Sequence, residues 1–185
     1  MPRFLRSWRI CVMTVLIACC AAPSTQASPS ERLNDFTQWA VRGGRWEKNS
    51  DGQIVGYGDA TLEFNGGVPA NSTIEFSINV VAGMRPRIHF DGTDAYIGNE
   101  GFTHRLELYN CQSARGVPLP YDNGQDIKIA VKFKGNRVEF FINDELMARG
   151  TTKSTADQIG ITLRAGDNFS PGQVRFWNFK VSPAH

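Results

Sequence analysis

In the stretch DGTDAYIGNEGFTHRLELYN (Asp91 to Asn110), Arg105, Glu107 and Tyr109 alternate with His104, Leu106 and Leu108, and Arg87 and His89 alternate just upstream. Residues two apart on a strand share a face, so this spacing gathers acids, bases and an aromatic ring on one side of a sheet. Glu75 and Arg164 occupy equivalent polar positions on two other runs. If the sheet curves, Glu75, Arg87, His89, Arg105, Glu107, Tyr109 and Arg164 are expected to converge on its concave side. Charged groups there would hydrogen-bond to sugar hydroxyls, and the Tyr109 ring would cover a sugar's apolar face. The alternative is plainer: arginines and glutamates on adjacent strands also form cross-strand ion pairs on a solvated surface. A conventional glycosidase needs two carboxyls flanking one bond, and only Glu75 and Glu107 are candidates for that pair. No Ser-His-Asp, Cys-His, phosphate-loop or zinc spacing is present, so the sequence implies no cofactor.

Other polar features carry less chemistry. Asp91, Asp94, Asn99 and Glu100 are oxygen donors of the kind a structural calcium ion accepts, but their spacing is not that of an EF-hand loop and also suits a polar turn. Asn71 in NST and Asn168 in NFS fit the glycosylation pattern. His104 should face away from Arg105 and Glu107, as partly buried packing.

The 185-residue chain opens with Arg3, Arg6 and Arg9, then ICVMTVLIACCAA, then the small and polar PSTQAS. A basic start, a short apolar run and a small-residue exit make a secretory signal peptide over residues 1–27, too short for an ordinary membrane span. Cleavage before Ser28 gives a secreted or periplasmic protein. LIAC, ending at Cys19, also resembles a bacterial lipobox, whose cysteine would be acylated and anchor the chain to the envelope. Either exit removes those three arginines and leaves 17 Lys+Arg against 18 Asp+Glu, net −1. A mature domain so balanced lacks the clustered basic surface of a nucleic-acid protein. Cys11, Cys19 and Cys20 lie in the leader, so Cys111 alone is certain to remain and no disulfide framework is expected.

The elements that must position these residues are strands. TIEFSINVV places Ile74, Phe76, Ile78 and Val80 on one face, and Glu75, Ser77 and Asn79 on the other. In DIKIAVKFKGNRVEFFIND, Ile127, Ile129, Val131 and Phe133 are answered by Val138, Phe140 and Ile142 across Gly135-Asn136, the pattern of an antiparallel hairpin. Turns are also expected at Asp51-Gly52 and Asn143-Asp144. About a dozen short strands, each with one apolar face, must cover that face, so the chain should fold as an all-β, two-sheet antiparallel β-sandwich or jelly roll. Residues 28–32 are expected as a linker and 33–183 as one domain. Trp39, Trp46 and Trp177, near the two ends, are expected as core or edge packing.

FTQWAVRGGRWEKNSDGQIVGYGDATLEF resembles the opening of the 3-keto-disaccharide hydrolase-like family of concanavalin A-like sandwiches, with its Trp, Gly-Gly-x-Trp and DGxIxG turn. IGITLRAGDNFSPGQVRFWNFKV resembles that family's ending, and YDNGQDIKIAVKFKGNRVEFFINDEL its central hairpin. The resemblance spans most of the mature chain. Of the family's Glu-x-Gln pair only Glu107 is matched; MRPRIHF stands where an Asn-Ser-Gly stretch is usual, and Leu163-Arg164 where Leu-Gln is usual. The resemblance implies a glycoside as partner and, if catalytic, hydrolysis of 3-keto-glycosides. Glu107 or His89 would then remove a proton acidified by the keto group, while Arg87 or Arg105 stabilises the oxyanion. The residues alone fit three functions: sugar binding without catalysis, that hydrolysis, or a structural or protein-binding module of the envelope.

Overall fold

The computed structural model describes residues 27–99, 104–153 and 156–185, with the side chains of 113–115 excepted. The leader as far as residue 26, Cys19 included, and Glu100 lie outside the described residues. A single-turn helix, α1 (Pro29–Asn34), comes first and leads through a short 3-10 turn, Phe36–Gln38, into the sheet. Ser28 and Glu31 close α1 with reciprocal side-chain bonds to each other's backbone N–H, which satisfies donors that a helix start otherwise leaves orphaned. The expected linker, 28–32, is thus folded against the domain.

Among the described residues thirteen strands follow. They are β1 (Trp39–Lys48), β2 (Ile54–Phe64), β3 (Val68–Pro69), β4 (Ser72–Ala82), β5 (Arg87–Asp91), β6 (Ala95–Gly98) and β7 (Glu107–Tyr109), then β8 (Gln112–Arg115), β9 (Asp126–Lys134), β10 (Arg137–Ile142), β11 (Glu145–Thr151), β12 (Gln158–Arg164) and β13 (Gly172–Pro183). All pair antiparallel, in the order β7-β6-β5-β12-β2-β13-β4-β9-β10-β11-β8, with β1 added to β2 and β3 to β12. The second half of β2 pairs with β12 (Leu62 with Leu163), and its first half pairs with β13 (Gly56 with Val174). The continuous sheet therefore turns over at β2 and β13 and closes on itself as two layers. Phe90 of β5 meets Phe133 of β9 across the interior, ring centroids 5.2 Å apart, although those strands are far apart in the sheet. This is the expected all-β, two-sheet antiparallel β-sandwich.

Alternation sets the core. Ile74, Phe76, Ile78 and Val80 of β4 are buried, as are Ile127, Ile129, Val131 and Phe133 of β9 and Val138, Phe140 and Ile142 of β10. Register across the β9–β10 hairpin pairs Phe133 with Val138 and Val131 with Phe140, as the pattern requires. Burying each such side chain stabilises by about 1.5–3 kcal/mol. Asn143 and Asp144 both have positive φ (49° and 68°), the backbone of a tight turn whose twist matches its strands. Trp39 and Trp46 are buried: Trp39 donates its indole N–H to the Leu33 carbonyl (3.0 Å) and packs on Phe64 and Phe179, while the Trp46 ring lies where a Cβ on Gly56 would sit. Trp177 is half-buried on the outer side of β13.

Candidate functional site

β12 bonds to β5 in register, β5 to β6 and β6 to β7, so the outward residues of this layer form rows. One row runs Tyr109, Tyr96, His89, Thr162 and Glu63 across β7, β6, β5, β12 and β2. The next runs Glu107, Gly98, Arg87, Arg164 and Thr61. The opposite sides of the same strands bury Leu108, Ile97, Ile88, Phe90, Ile161 and Leu163, which fixes the polar side outward. Gly98 matters here because a Cβ there would lie 2.8 Å from Arg87 Cγ: the arginine stem crosses the space that glycine leaves.

The first row holds a ladder of rings. Tyr109 stacks on Tyr96 with centroids 4.9 Å apart and planes 14° from parallel, and Tyr96 stacks on His89 at 4.9 Å and 21°. Both faces of Tyr96 are therefore occupied. The stacking closes the ring faces within the ladder, and His89 Nε2 is buried beneath it. Beside it, Asp91 Oδ2 accepts a 2.6 Å hydrogen bond from Thr162 Oγ1. A cleft of about 200 Å³ is bounded by His89, Asp91, Asp94, Tyr96 and Asn110; Asp94 and Asn110 also bound a neighbouring cleft of about 380 Å³ that reaches Gln112 and Lys153.

At the other end of the rows the arginines are held by acids. Arg164 pairs with Asp59 (3.3 Å), and Asp167 receives Arg85 at 3.0 Å with Arg87 at 3.9 Å. Asp167 also accepts from the backbone N–H groups of Phe169 and Ser170, both at 2.9 Å. Burial works to raise its carboxyl, but the bonds from Arg85, Ser170 and Phe169 outweigh it and hold the group below the usual carboxylate range.

Of the residues expected to converge, Arg87, His89, Glu107, Tyr109 and Arg164 share this face. Glu75 does not. It lies on β4, opposite Ala130 and Lys180, on the outer side of the second layer, where it is 3.7 Å from Lys128. A period-2 pattern tells which side of a strand a residue takes, but not which layer the strand joins. Arg105 is exposed just before β7 and makes an isolated bridge with Pro120, at the rim of the face. With Glu75 and Glu107 on different layers, the carboxyl pair that a conventional glycosidase requires is not assembled from them.

Glu107 also lines a separate cleft of about 120 Å³ whose other walls include Leu108, Pro118, Phe140 and Met147. No ion pair to Glu107 occurs among the described residues. His104 is partly buried and stacks on Tyr121 at 5.6 Å. Asp91 is engaged with Thr162 and Asn99 is buried, and among the described residues no group of three or more His, Cys, Asp or Glu is placed to hold a metal ion. Cys111 is a half-buried free thiol that burial pushes up to about 11, far from thiolate character at neutral pH.

Sequence reasoning missed Phe169, which is 80% exposed in the loop between β12 and β13. The signal was available: an aromatic residue in DNFSP, a polar loop with no apolar neighbour to pack on.

No protein-family model matches this chain, and no curated protein matches it in sequence. Solved structures do match in shape. The carbohydrate-binding module CBM66 from Bacillus subtilis superposes with a TM-score of 0.60 at 14% identity, covering 78% of this chain and 95% of that one. An alginate lyase of polysaccharide lyase family 7 gives 0.56 at 13% identity, covering 80% and 94%. A sialidase gives 0.63 at 12% identity, where 80% of this chain matches 17% of the larger protein. What this chain shares with them is the antiparallel β-sandwich, and at such identities the likeness extends to fold alone.

Proposed function

We propose that this protein is an extracytoplasmic carbohydrate-binding module that holds a glycan, without catalysis, on the outer face of the β7-β6-β5-β12-β2 layer. The observation that carries the reading is the Tyr109–Tyr96–His89 ladder set between Asp91 and the Arg87–Arg164 row. Sugar hydroxyls both donate and accept, so they suit a surface where phenol, imidazole, carboxylate and guanidinium groups alternate at strand spacing. Hydrogen bonds to charged groups contribute about 1.5–3 kcal/mol each before ordering costs, so two or three suffice for binding. Matches to carbohydrate-binding and glycan-processing proteins support this reading through shared fold, and the leader-like residues 1–27 support a place outside the cytoplasm, free or anchored through Cys19.

A second reading is hydrolysis of a 3-keto-glycoside, and the position of Glu107 favours it. A carboxylate with no ion partner among the described residues, on a partly apolar cleft, is placed as a base would be. It would take the proton beside the keto carbon; the electron pair would form the enolate and then expel the glycosidic oxygen, which leaves with a proton from water. The hydroxide so formed would add to the anomeric carbon of the resulting enone while Glu107 returns its proton to the neighbouring carbon, completing hydrolysis. A glycan array and a turnover screen that includes 3-keto-glucosides, run on the wild type and Glu107→Gln, separate the two. Binding without turnover, retained in the variant, is the expected result. Turnover abolished by the variant while binding persists would make the protein an enzyme, and neither activity would remove carbohydrate from the account.

A further inference from the structure

Phe169 stands where the face ends. The loop that carries it, between Arg164 and Gly172, covers the strand ends beside Arg85 and Arg87, and the loop is built to stay in place. Asp167 Oδ1 takes the N–H groups of Phe169 and Ser170, its Oδ2 takes Arg85, and Ser170 Oγ accepts the Met84 N–H at 3.0 Å. The Arg85 guanidinium lies 6.0 Å from the centre of the Phe169 ring, close enough to orient it. Isolated exposed apolar residues are ordinary on proteins and need no explanation. Phe169 differs because polar bonds on both sides fix its backbone while its ring, 80% exposed, faces solvent beside the Arg85–Asp167 pair. Such a ring offers the open aromatic face that the stacked ladder keeps closed.

We infer that Phe169 is a stacking platform that extends the carbohydrate face onto the β12–β13 loop, and that the ligand is therefore an oligosaccharide chain. This rests on the carbohydrate-binding reading above. From Arg85, beside Phe169, to Asp91, beside the far cleft, six residue steps, most of them along β5, span roughly 20 Å. That is longer than a single sugar ring, so one monosaccharide cannot reach both ends. A chain laid along β5 contacts the Asp91 cleft, the ring ladder, the arginines and Phe169 in turn.

The test is calorimetric titration of the protein with monomer-to-hexamer ladders of β-1,4-glucan, β-1,4-mannan and β-1,4-uronan, comparing wild type, Phe169→Ala and Phe169→Tyr. The expected result is affinity that rises with chain length in the wild type, a roughly tenfold loss for the hexamer in Phe169→Ala, unchanged monomer binding, and recovery in Phe169→Tyr. Thermal melting of Phe169→Ala should match the wild type, since the ring packs on no core residue. Equal loss for monomer and hexamer, or no loss for either, would overturn the platform while leaving carbohydrate binding intact. Failure of the wild type to bind any ladder or any glycan on the array would overturn both.

Discussion

Asp167 shows how one buried carboxylate can organise the end of a sheet face. It joins Arg85 and the two backbone donors of its own loop, so replacing it with asparagine removes the charge and misplaces at least one acceptor. Asp167→Asn should lower stability by about 1–3 kcal/mol in urea unfolding at neutral pH. The sign with pH follows from the depressed carboxyl: its contribution is complete above the ordinary carboxylate range and is lost as pH falls through the lower native value. The gap between wild type and variant should therefore narrow below about pH 4, and a gap that widens there would contradict this role. At the same scale, the sequence identified Arg87, His89, Glu107, Tyr109 and Arg164 as companions because each lies one alternation from a buried apolar residue. Glu75 obeys the same alternation and belongs elsewhere, since local patterning carries no information about layer.

Elements that the patterning shows clearly are those whose partners are near in sequence. The β9–β10 hairpin was legible to its register because alternation on both strands and the Gly135-Asn136 turn agree. α1 was not, since six residues hold no amphipathic period. Its stability comes from tertiary bonds to a strand about 145 residues away: Asn34 Nδ2 donates to the Phe179 carbonyl (2.7 Å), while its Oδ1 accepts the Phe179 N–H (3.1 Å). Those bonds meet β13 where its register shifts between Trp177 and Lys180 and Asn178 takes φ 57°. That shift breaks the alternation and turns both Phe176 and Phe179 inward, something no period-2 reading of RFWNFKV anticipates. Asn34→Ala should cost about 2 kcal/mol and release α1 early, measured as faster amide exchange at Phe179 and Val181 than in the strands of the β9–β10 hairpin. Unchanged exchange there would mean that Leu33 and the Ser30–Val181 bonds hold α1 without Asn34.

At the scale of the whole molecule, two-layer closure was legible because a dozen one-sided strands admit few other solutions, whereas strand order was not. Pairings such as β12 with β2 and β13 with β4 join residues about a hundred positions apart, and nothing local encodes them. That order decides what each face carries, since it makes one face of rings, acids and arginines and leaves Glu75 and Lys128 on the other. On the proposed function, carbohydrate binds the first face. The most direct measurement is amide chemical-shift mapping of the protein by NMR during titration with β-1,4-glucan, β-1,4-mannan and β-1,4-uronan hexamers. The account predicts shifts on β5, β6, β7 and β12 and in the Phe169 loop, with the outer residues of β4 and β9 unmoved. Shifts confined to β4 and β9, or none with any hexamer, would contradict it.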